Sequence, residues 1–189
     1  NEPGIIGRAL DGGAWGIICP MISTAAEARA LVAACLYPPA GRRSFGPVRS
    51  ASYGQATSYL RIANDEVLIL PMIETQEAVD NIAEILDVPG IGGLYIGPSD
   101  LAISLGVAPV LDTEDPTMLG VYETLLRETS ARGQIAGIHN LSPAYASRMV
   151  GIGFRFVTVG NDSRMIAGTA KETVQSTRTM LERLSSSSV

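Results

Sequence analysis

Two acidic residues stand where chemistry is easiest to build. Glu74 closes the apolar run in Leu70-Pro71-Met72-Ile73-Glu74-Thr75, and Asp100 closes the next, in Tyr95-Ile96-Gly97-Pro98-Ser99-Asp100-Leu101. If both runs are neighbouring strands, about 4.8 Å apart, their carboxylates can share one divalent cation. Two carboxylates with water completing an octahedron suit Mg2+ or Mn2+ and leave positions for a bidentate substrate. Plainer uses exist for the same residues: Glu74 as a first-turn helix charge, and Ser99-Asp100 as an N-cap pair stabilising a helix dipole. Gly97 and Pro98 let the backbone turn sharply and aim N–H groups at a helix N-terminus into the cleft, an arrangement suited to a substrate carboxylate.

The other reactive side chains are few. His139 is the only histidine; at the end of an apolar run it fits a structural or solvent-facing role as well as a substrate contact. The only lysine, Lys171, falls in the last helical stretch, away from any strand end, which disfavours Schiff-base chemistry. Cys19 and Cys35 lie in an apolar strand and an alanine-rich helix. Buried free thiols are commoner there than disulfides in reducing compartments, and no histidine is near either in sequence to activate it.

The elements that must position these residues follow a repeated pattern, a short apolar run and then a longer amphipathic stretch, as a parallel sheet with crossover helices requires. Five strands are predicted: Gly16 to Met21, Val67 to Ile73, Gly93 to Ile96, Ile135 to Ile138 and Phe156 to Val159. Each is nearly continuous in apolar residues, as strands covered on both faces are. Helix start signals stand at Ser23 and Thr24 before Ala25 to Leu36, at Thr75 before Glu77 to Leu86, at Ser142-Pro143 before the stretch to Val150, and at Ser163 before the final helix. Gly133 and Gly151 mark helix ends. Ile5 to Leu10 reads as a helix running into Asp11-Gly12-Gly13-Ala14. The segments Tyr37 to Pro47, dense in glycine, proline and arginine, and Leu105 to Pro116 read as loops. Residues 1–184 are expected to form one domain, with 185–189 a flexible serine-rich tail.

At 189 residues and 46% hydrophobic, the chain can bury one substantial core. Lysine plus arginine number 14 against 19 acids, a net charge of −5, which argues against a nucleic-acid or anionic-membrane partner and for a small solute. No apolar run approaches the roughly 18 to 20 residues that span a bilayer, and Asn1-Glu2-Pro3-Gly4 has no signal-peptide character. A soluble, cytoplasmic protein is expected. No glycine-rich dinucleotide fingerprint follows any strand. Closure into a barrel of eight strands would need about three more units ahead of Asn1.

With these residues in hand, the sequence resembles the class II, metal-dependent pyruvate aldolases that include 4-hydroxy-2-oxoheptanedioate aldolase and 2-dehydro-3-deoxyglucarate aldolase. The resemblance runs over nearly the whole chain, through Leu10-Asp11-Gly12-Gly13-Ala14, Pro20-Met21, Tyr37-Pro38-Pro39-Ala40-Gly41, Ile73-Glu74-Thr75, Ile96 to Leu101 and Val159-Gly160-Asn161-Asp162. It implies a TIM (β/α)8 barrel of which this chain supplies about five βα units, and the reversible cleavage of a 4-hydroxy-2-oxo acid into pyruvate, or an analogue, and an aldehyde through a metal-stabilised enolate. Residue by residue, it implies Glu74 and Asp100 as metal ligands and Ser99 with the Asp100 backbone as the holders of the pyruvate carboxylate. Asp11 corresponds to an aspartate that raises the basicity of a catalytic histidine. That histidine and an enolate-stabilising arginine belong to earlier strands, ahead of Asn1.

Two departures from the family's pattern stand out. Met72 occupies a position where relatives often carry a substrate-touching glutamine, and His139 one that is often apolar and near the aldehyde half of the substrate. The resemblance further implies a homo-oligomer, a hexamer in which the final helix exchanges between neighbours. Two other readings remain open at this point: a lyase of the citrate-lyase β-subunit type acting on coenzyme A thioesters, for which only Arg42-Arg43 offers a basic stretch, and a catalytically incomplete barrel fragment.

Overall fold

The computed structural model describes residues 1–47, 49, 52 and 56–186. They form an α/β fold with a five-stranded parallel sheet, β1 (Gly16–Cys19), β2 (Leu68–Ile73), β3 (Gly93–Ile96), β4 (Ile135–Asn140) and β5 (Phe156–Val159), in the order β1-β2-β3-β4-β5. Every neighbour in the sheet is the next strand in sequence. Each connection therefore advances the sheet by one strand in the same sense, the arrangement that curls a sheet towards a barrel. The sheet is a curled half-barrel.

The helices begin where side chains can take up their orphan N–H groups. Glu2 caps α1 (Pro3–Asp11), its carboxylate accepting from the N–H groups of Gly4 and Ile5. Thr24 and Glu27 form a reciprocal capping box on α2 (Ala25–Cys35). Then come α3 (Ala56–Glu66), α4 (Gln76–Asp80, capped by Thr75), α5 (Ile82–Leu86), α6 (Pro98–Ser104), α7 (Pro116–Ala131, capped by Asp115) and α8 (Pro143–Ile152, capped by Ser142).

Several boundaries differ from expectation. The helix predicted over Glu77 to Leu86 is two short helices, because Asn81, at φ −94° and ψ 11°, leaves the helical region and spends its amide on the Ser23 carbonyl. The end expected at Gly151 comes at Gly153, whose φ of +126° only glycine adopts freely. β1 stops at Cys19, short of Met21, and β4 runs on through His139 to Asn140.

Strand periodicity sorts the side chains into two faces. The register pairs Ile17 with Ile69, and Ile73 with Ile96 and Ile138, on the outer face. With Cys19, Leu94 and Ala136, these residues meet Leu31, Ile85, Leu101, Met118, Leu125 and Met149 from the helices in one continuous core. On the inner face the register pairs Ile18 with Leu70, Met72 with Tyr95, and Tyr95 with Gly137. Ile18 and Phe156 are each 38% exposed on this inner side, so the inner face is only partly covered while the outer one is sealed.

The chain divides into two compact units, Asn1–Thr158 and Val159–Val189. The second is chiefly α9 (Asp162–Ser186), which begins where Asn161 accepts from the Arg164 N–H and keeps Met165, Ile166, Met180 and Leu181 exposed. Ser185 and Ser186 continue this helix, and the remainder of the serine-rich tail lies outside the described residues. No helix among the described residues is long and apolar enough to cross a membrane.

Candidate active site

Glu74 follows β2 directly and is 5% exposed. One of its carboxylate oxygens accepts the Met21 N–H at 2.8 Å, and the carboxylate makes no other hydrogen bond or ion pair among the described residues. Met21 can donate because it sits at φ +57°, a left-handed turn that is strained for a methionine. Ser23 and Thr75 share a hydroxyl–hydroxyl bond of 2.8 Å that ties the two strand exits together. Burial pushes the Glu74 carboxyl above its usual range; the Met21 hydrogen bond opposes this and the nearby charge of Asp100 adds to it. A buried carboxylate with one donor and an acidic neighbour is an electrostatic vacancy for a cation.

Asp100 does not close β3 as the sequence suggested. It is the third residue of α6, an exposed first-turn acid, and its approach to Glu74 comes from the tight turn at Gly97-Pro98. Gly97 is required there: a Cβ at that position would lie 2.3 Å from a Glu74 carboxylate oxygen. Ser99 is half-buried beside it on the same first turn. The set is two carboxylates, and no group of three or more His, Cys, Asp or Glu side chains able to hold a metal occurs among the described residues. That inventory fits a hard cation that keeps water or substrate oxygens in its remaining positions, as Mg2+ does, and does not fit a closed structural zinc site.

His139 stands in the same row. Since Ile73, Ile96 and Ile138 are in register, the next residues of the three strands, Glu74, Gly97 and His139, lie side by side at one level of the inner face. Glycine in the middle leaves a gap between carboxylate and imidazole whose backbone span is about 10 Å, two strand spacings. His139 Nδ1 is 2.7 Å from the Thr158 hydroxyl, which also bonds the Tyr95 hydroxyl. Asn140, fully buried, donates to the carbonyls of Ile138 and Thr158 and fixes β4 to β5 at this point. Met72, half-buried and one inner-face position below Glu74, lines the floor and offers no hydrogen-bonding hydrogen.

Asp11 ends α1, and its carboxylate accepts from Arg43 at 2.7 Å. The Arg43 side chain is 1% exposed and stacks over the Tyr37 ring, 4.5 Å from its centroid, with the Tyr59 ring 5.8 Å away. In the sequence Arg43 falls within a segment with the composition of a loop. The signal for its role is the clustering of aromatic residues around an arginine in Tyr37 to Phe45, a composition suited to a buried stacked guanidinium. Thr158 and Tyr95 carry no sequence signal beyond that of strand residues. Cys19 and Cys35 are free and buried, and burial, helped by the nearby Cys19, pushes the Cys35 thiol up to about 12. This is the opposite of what a nucleophilic thiol needs.

Comparison with known proteins adds an independent line. The profile of the family described as HpcH/HpaI aldolase/citrate lyase matches residues 1–167. The chain is 43% identical over 181 residues to a hydroxypyruvate/pyruvate aldolase of Rhizorhabdus wittichii, covering 95% of this chain and 71% of that one. It is 40% identical over 169 residues to a 4-hydroxy-2-oxo-heptane-1,7-dioate aldolase of Salmonella typhimurium, covering 88% of this chain and 64% of that one. Among solved structures, an HpcH/HpaI aldolase from Desulfitobacterium hafniense superimposes with a TM-score of 0.84 at 26% identity, over 94% of this chain and 69% of that one. The chain thus spans about two thirds of the length of these relatives.

Proposed function

Because the chain belongs to the HpcH/HpaI aldolase/citrate lyase family, we propose that it is the larger part of a carbon–carbon lyase. The reaction is reversible aldol cleavage of a 4-hydroxy-2-oxo acid to pyruvate, or a close analogue, and an aldehyde. Its whole fold is a (β/α)8 barrel to which this chain gives five βα units. The observation that carries the reading is the row Glu74, Gly97, His139 with Asp100 set against Glu74: a carboxylate pair at one end, an open centre and a polar ring at the other.

Glu74 and Asp100 would hold the divalent cation, Mg2+ or Mn2+, which would supply Lewis-acid stabilisation of the enolate. Ser99 and the backbone N–H of Asp100, at the start of α6, bind the pyruvate carboxylate. Met72 gives the pyruvate carbons an apolar floor and keeps water from them. Asp11 is held by Arg43 through one oxygen; its other oxygen makes no hydrogen bond among the described residues and orients the imidazole of a general base. His139 meets the aldehyde half. The two buried free thiols accord with a reducing cytoplasm, and the exposed apolar residues of α9 accord with assembly into a homo-oligomer, a hexamer on the family resemblance.

The test, on the whole enzyme that supplies the general base, is exchange of the pyruvate methyl protons for deuterium in the presence of Mg2+ or Mn2+, followed by NMR. The reading requires exchange that EDTA abolishes and that Glu74→Ala removes together with metal affinity. Exchange that survives EDTA sinks it.

A further inference from the structure

The inner face carries a hydrogen-bonded chain that the carboxylate site does not use. Tyr95 on β3, Thr158 on β5 and His139 on β4 are joined through the Thr158 hydroxyl, which bonds the tyrosine hydroxyl on one side and imidazole Nδ1, at 2.7 Å, on the other. Gly137 makes the crossing possible, since a Cβ there would lie 2.7 Å from the Tyr95 ring. Tyr95 is 5% exposed, and Thr158 is the only hydrogen-bond partner of its hydroxyl among the described residues.

Counting protons fixes the direction of this chain. If His139 donated from Nδ1 to Thr158, the Thr158 hydroxyl would either donate on to the tyrosine oxygen and leave the buried phenolic proton without an acceptor, or accept from both and leave its own proton without a partner among the described residues. A buried donor without a partner costs about 1 to 3 kcal/mol. In the reverse direction every proton is used: tyrosine O–H to threonine oxygen, threonine O–H to the Nδ1 lone pair. Burial also raises the Tyr95 hydroxyl above its ordinary range and so keeps its proton in place. The single remaining imidazole proton is then on Nε2, which makes no hydrogen bond among the described residues, at the level of Glu74 and across the gap left by Gly97.

We propose that Tyr95 and Thr158 are positioning residues that lock His139 with Nδ1 as acceptor and Nε2–H as donor, and that this donor binds the carbonyl oxygen of the aldehyde substrate, selecting aldehydes small and polar enough to reach it. The assignment rests on the aldolase reading for its ligand but not for its tautomer. A donor facing the carbonyl oxygen also faces the C4 hydroxyl oxygen of the aldol, so it serves both directions of the reaction.

His139 is the only histidine in the chain, so the imidazole signals of the untagged, 15N-labelled chain need no assignment. Two-bond 1H–15N spectra at neutral pH are expected to show a protonated Nε2 and a hydrogen-bonded, unprotonated Nδ1. Tyr95→Phe frees the Thr158 oxygen to accept and is expected to raise the Nδ1–H population; Thr158→Val is expected to move Nδ1 towards an unbonded position. Glycolaldehyde added with Mg2+ and pyruvate is expected to shift Nε2 more than Nδ1, and Thr158→Val to raise the glycolaldehyde Kd read from that titration about tenfold with a smaller change in the Kd for pyruvate. Protonation at Nδ1 in the unsubstituted chain, or identical spectra for it and Tyr95→Phe, overturns the lock. An Nε2 signal indifferent to glycolaldehyde while the pyruvate methyl signal responds to the chain and Mg2+ overturns the ligand assignment and leaves the aldolase reading standing. A pyruvate signal that never responds removes that reading, and the aldehyde assignment with it.

Discussion

Gly97→Ala tests whether the candidate site is built around the Glu74 carboxylate. The new Cβ would sit 2.3 Å from one carboxylate oxygen, 2.8 Å from Cγ and 2.9 Å from Cδ of Glu74. Ordinary contact begins near 3.4 Å, so carboxylate or backbone must move by about 3.4 − 2.3 = 1.1 Å. Glu74 has little room to retreat, being 5% exposed and tied to the Met21 N–H at 2.8 Å. Overpacking of this kind costs about 1 to 3 kcal/mol, and at about 2 to 4 °C per kcal/mol for a chain of this size the melting temperature should fall by about 2 to 12 °C. The functional loss should be larger in proportion, because a displacement of about 1 Å in a reacting geometry can cost on the order of a hundredfold in rate. Calorimetric melting, Mn2+ titration and the deuterium-exchange rate of pyruvate would be measured on the same samples. Glu74→Asp, which withdraws the carboxylate by one methylene, should restore melting temperature when combined with Gly97→Ala, so the two effects should not add. A Gly97→Ala chain with unchanged melting and unchanged Mn2+ affinity would refute the placement of Glu74 against Gly97.

Glu74→Gln should abolish the stabilisation by Mg2+ or Mn2+, which in the unsubstituted chain amounts to about 2.7 kcal/mol at a hundred times Kd, read as a metal-dependent melting shift. Without metal its sign should be different: the folded-state carboxyl of Glu74 is raised by burial, so its contribution is fully present below the unfolded-state pKa and is lost as pH rises through the folded-state value. Metal-free Glu74→Gln should then equal or exceed the unsubstituted chain in urea midpoint at neutral pH, with the advantage disappearing on acidification below that range. Asp11→Ala leaves the buried Arg43 guanidinium unpaired and should cost about 3 to 5 kcal/mol, while Asp11→Ala with Arg43→Met should cost less than the sum of the two single changes in urea unfolding. Cys35, whose thiol is pushed up to about 12, should react with a thiol reagent at pH 8 only as fast as the chain opens; rapid labelling of native protein would contradict its burial.

The sheet was readable because an outer-face row such as Ile17, Ile69, Ile73, Leu94 and Ile138 makes each strand apolar regardless of what its inner face carries. Capping chemistry fixed the starts of α2 and α8, where Thr24 with Glu27 and Ser142 with Pro143 meet local needs that no distant residue alters. Boundaries failed where a distant group or a backbone conformation without a sequence signal decided them. Asn81 breaks a continuous helical pattern because its amide reaches the Ser23 carbonyl, fifty-eight residues away, and Gly151 lost to Gly153 because only the latter takes the positive φ.

The site divides along the same line. Glu74 and Asp100 announce themselves, each being an acid at the exit of an apolar run. What makes them one site is Gly97, whose missing side chain admits Glu74, and Met21, whose left-handed backbone turns an N–H onto it. Neither glycine nor methionine carries a chemical signature for that task; their roles exist only once the register is known. The same holds for His139. Its meaning comes from Thr158, nineteen residues on, and Tyr95, forty-four residues back; Tyr95 is level with Gly137, one inner-face position before His139, and reaches Thr158 by passing over that glycine. Residue type identifies groups that can do chemistry, and sheet register decides which of them share a substrate. A one-residue slip of β4 would turn His139 into the helix-packed core and put Asn140 at the level of Glu74, so on the proposed reading the pairing of Ile96 with Ile138 bears on specificity as much as any polar side chain in the row.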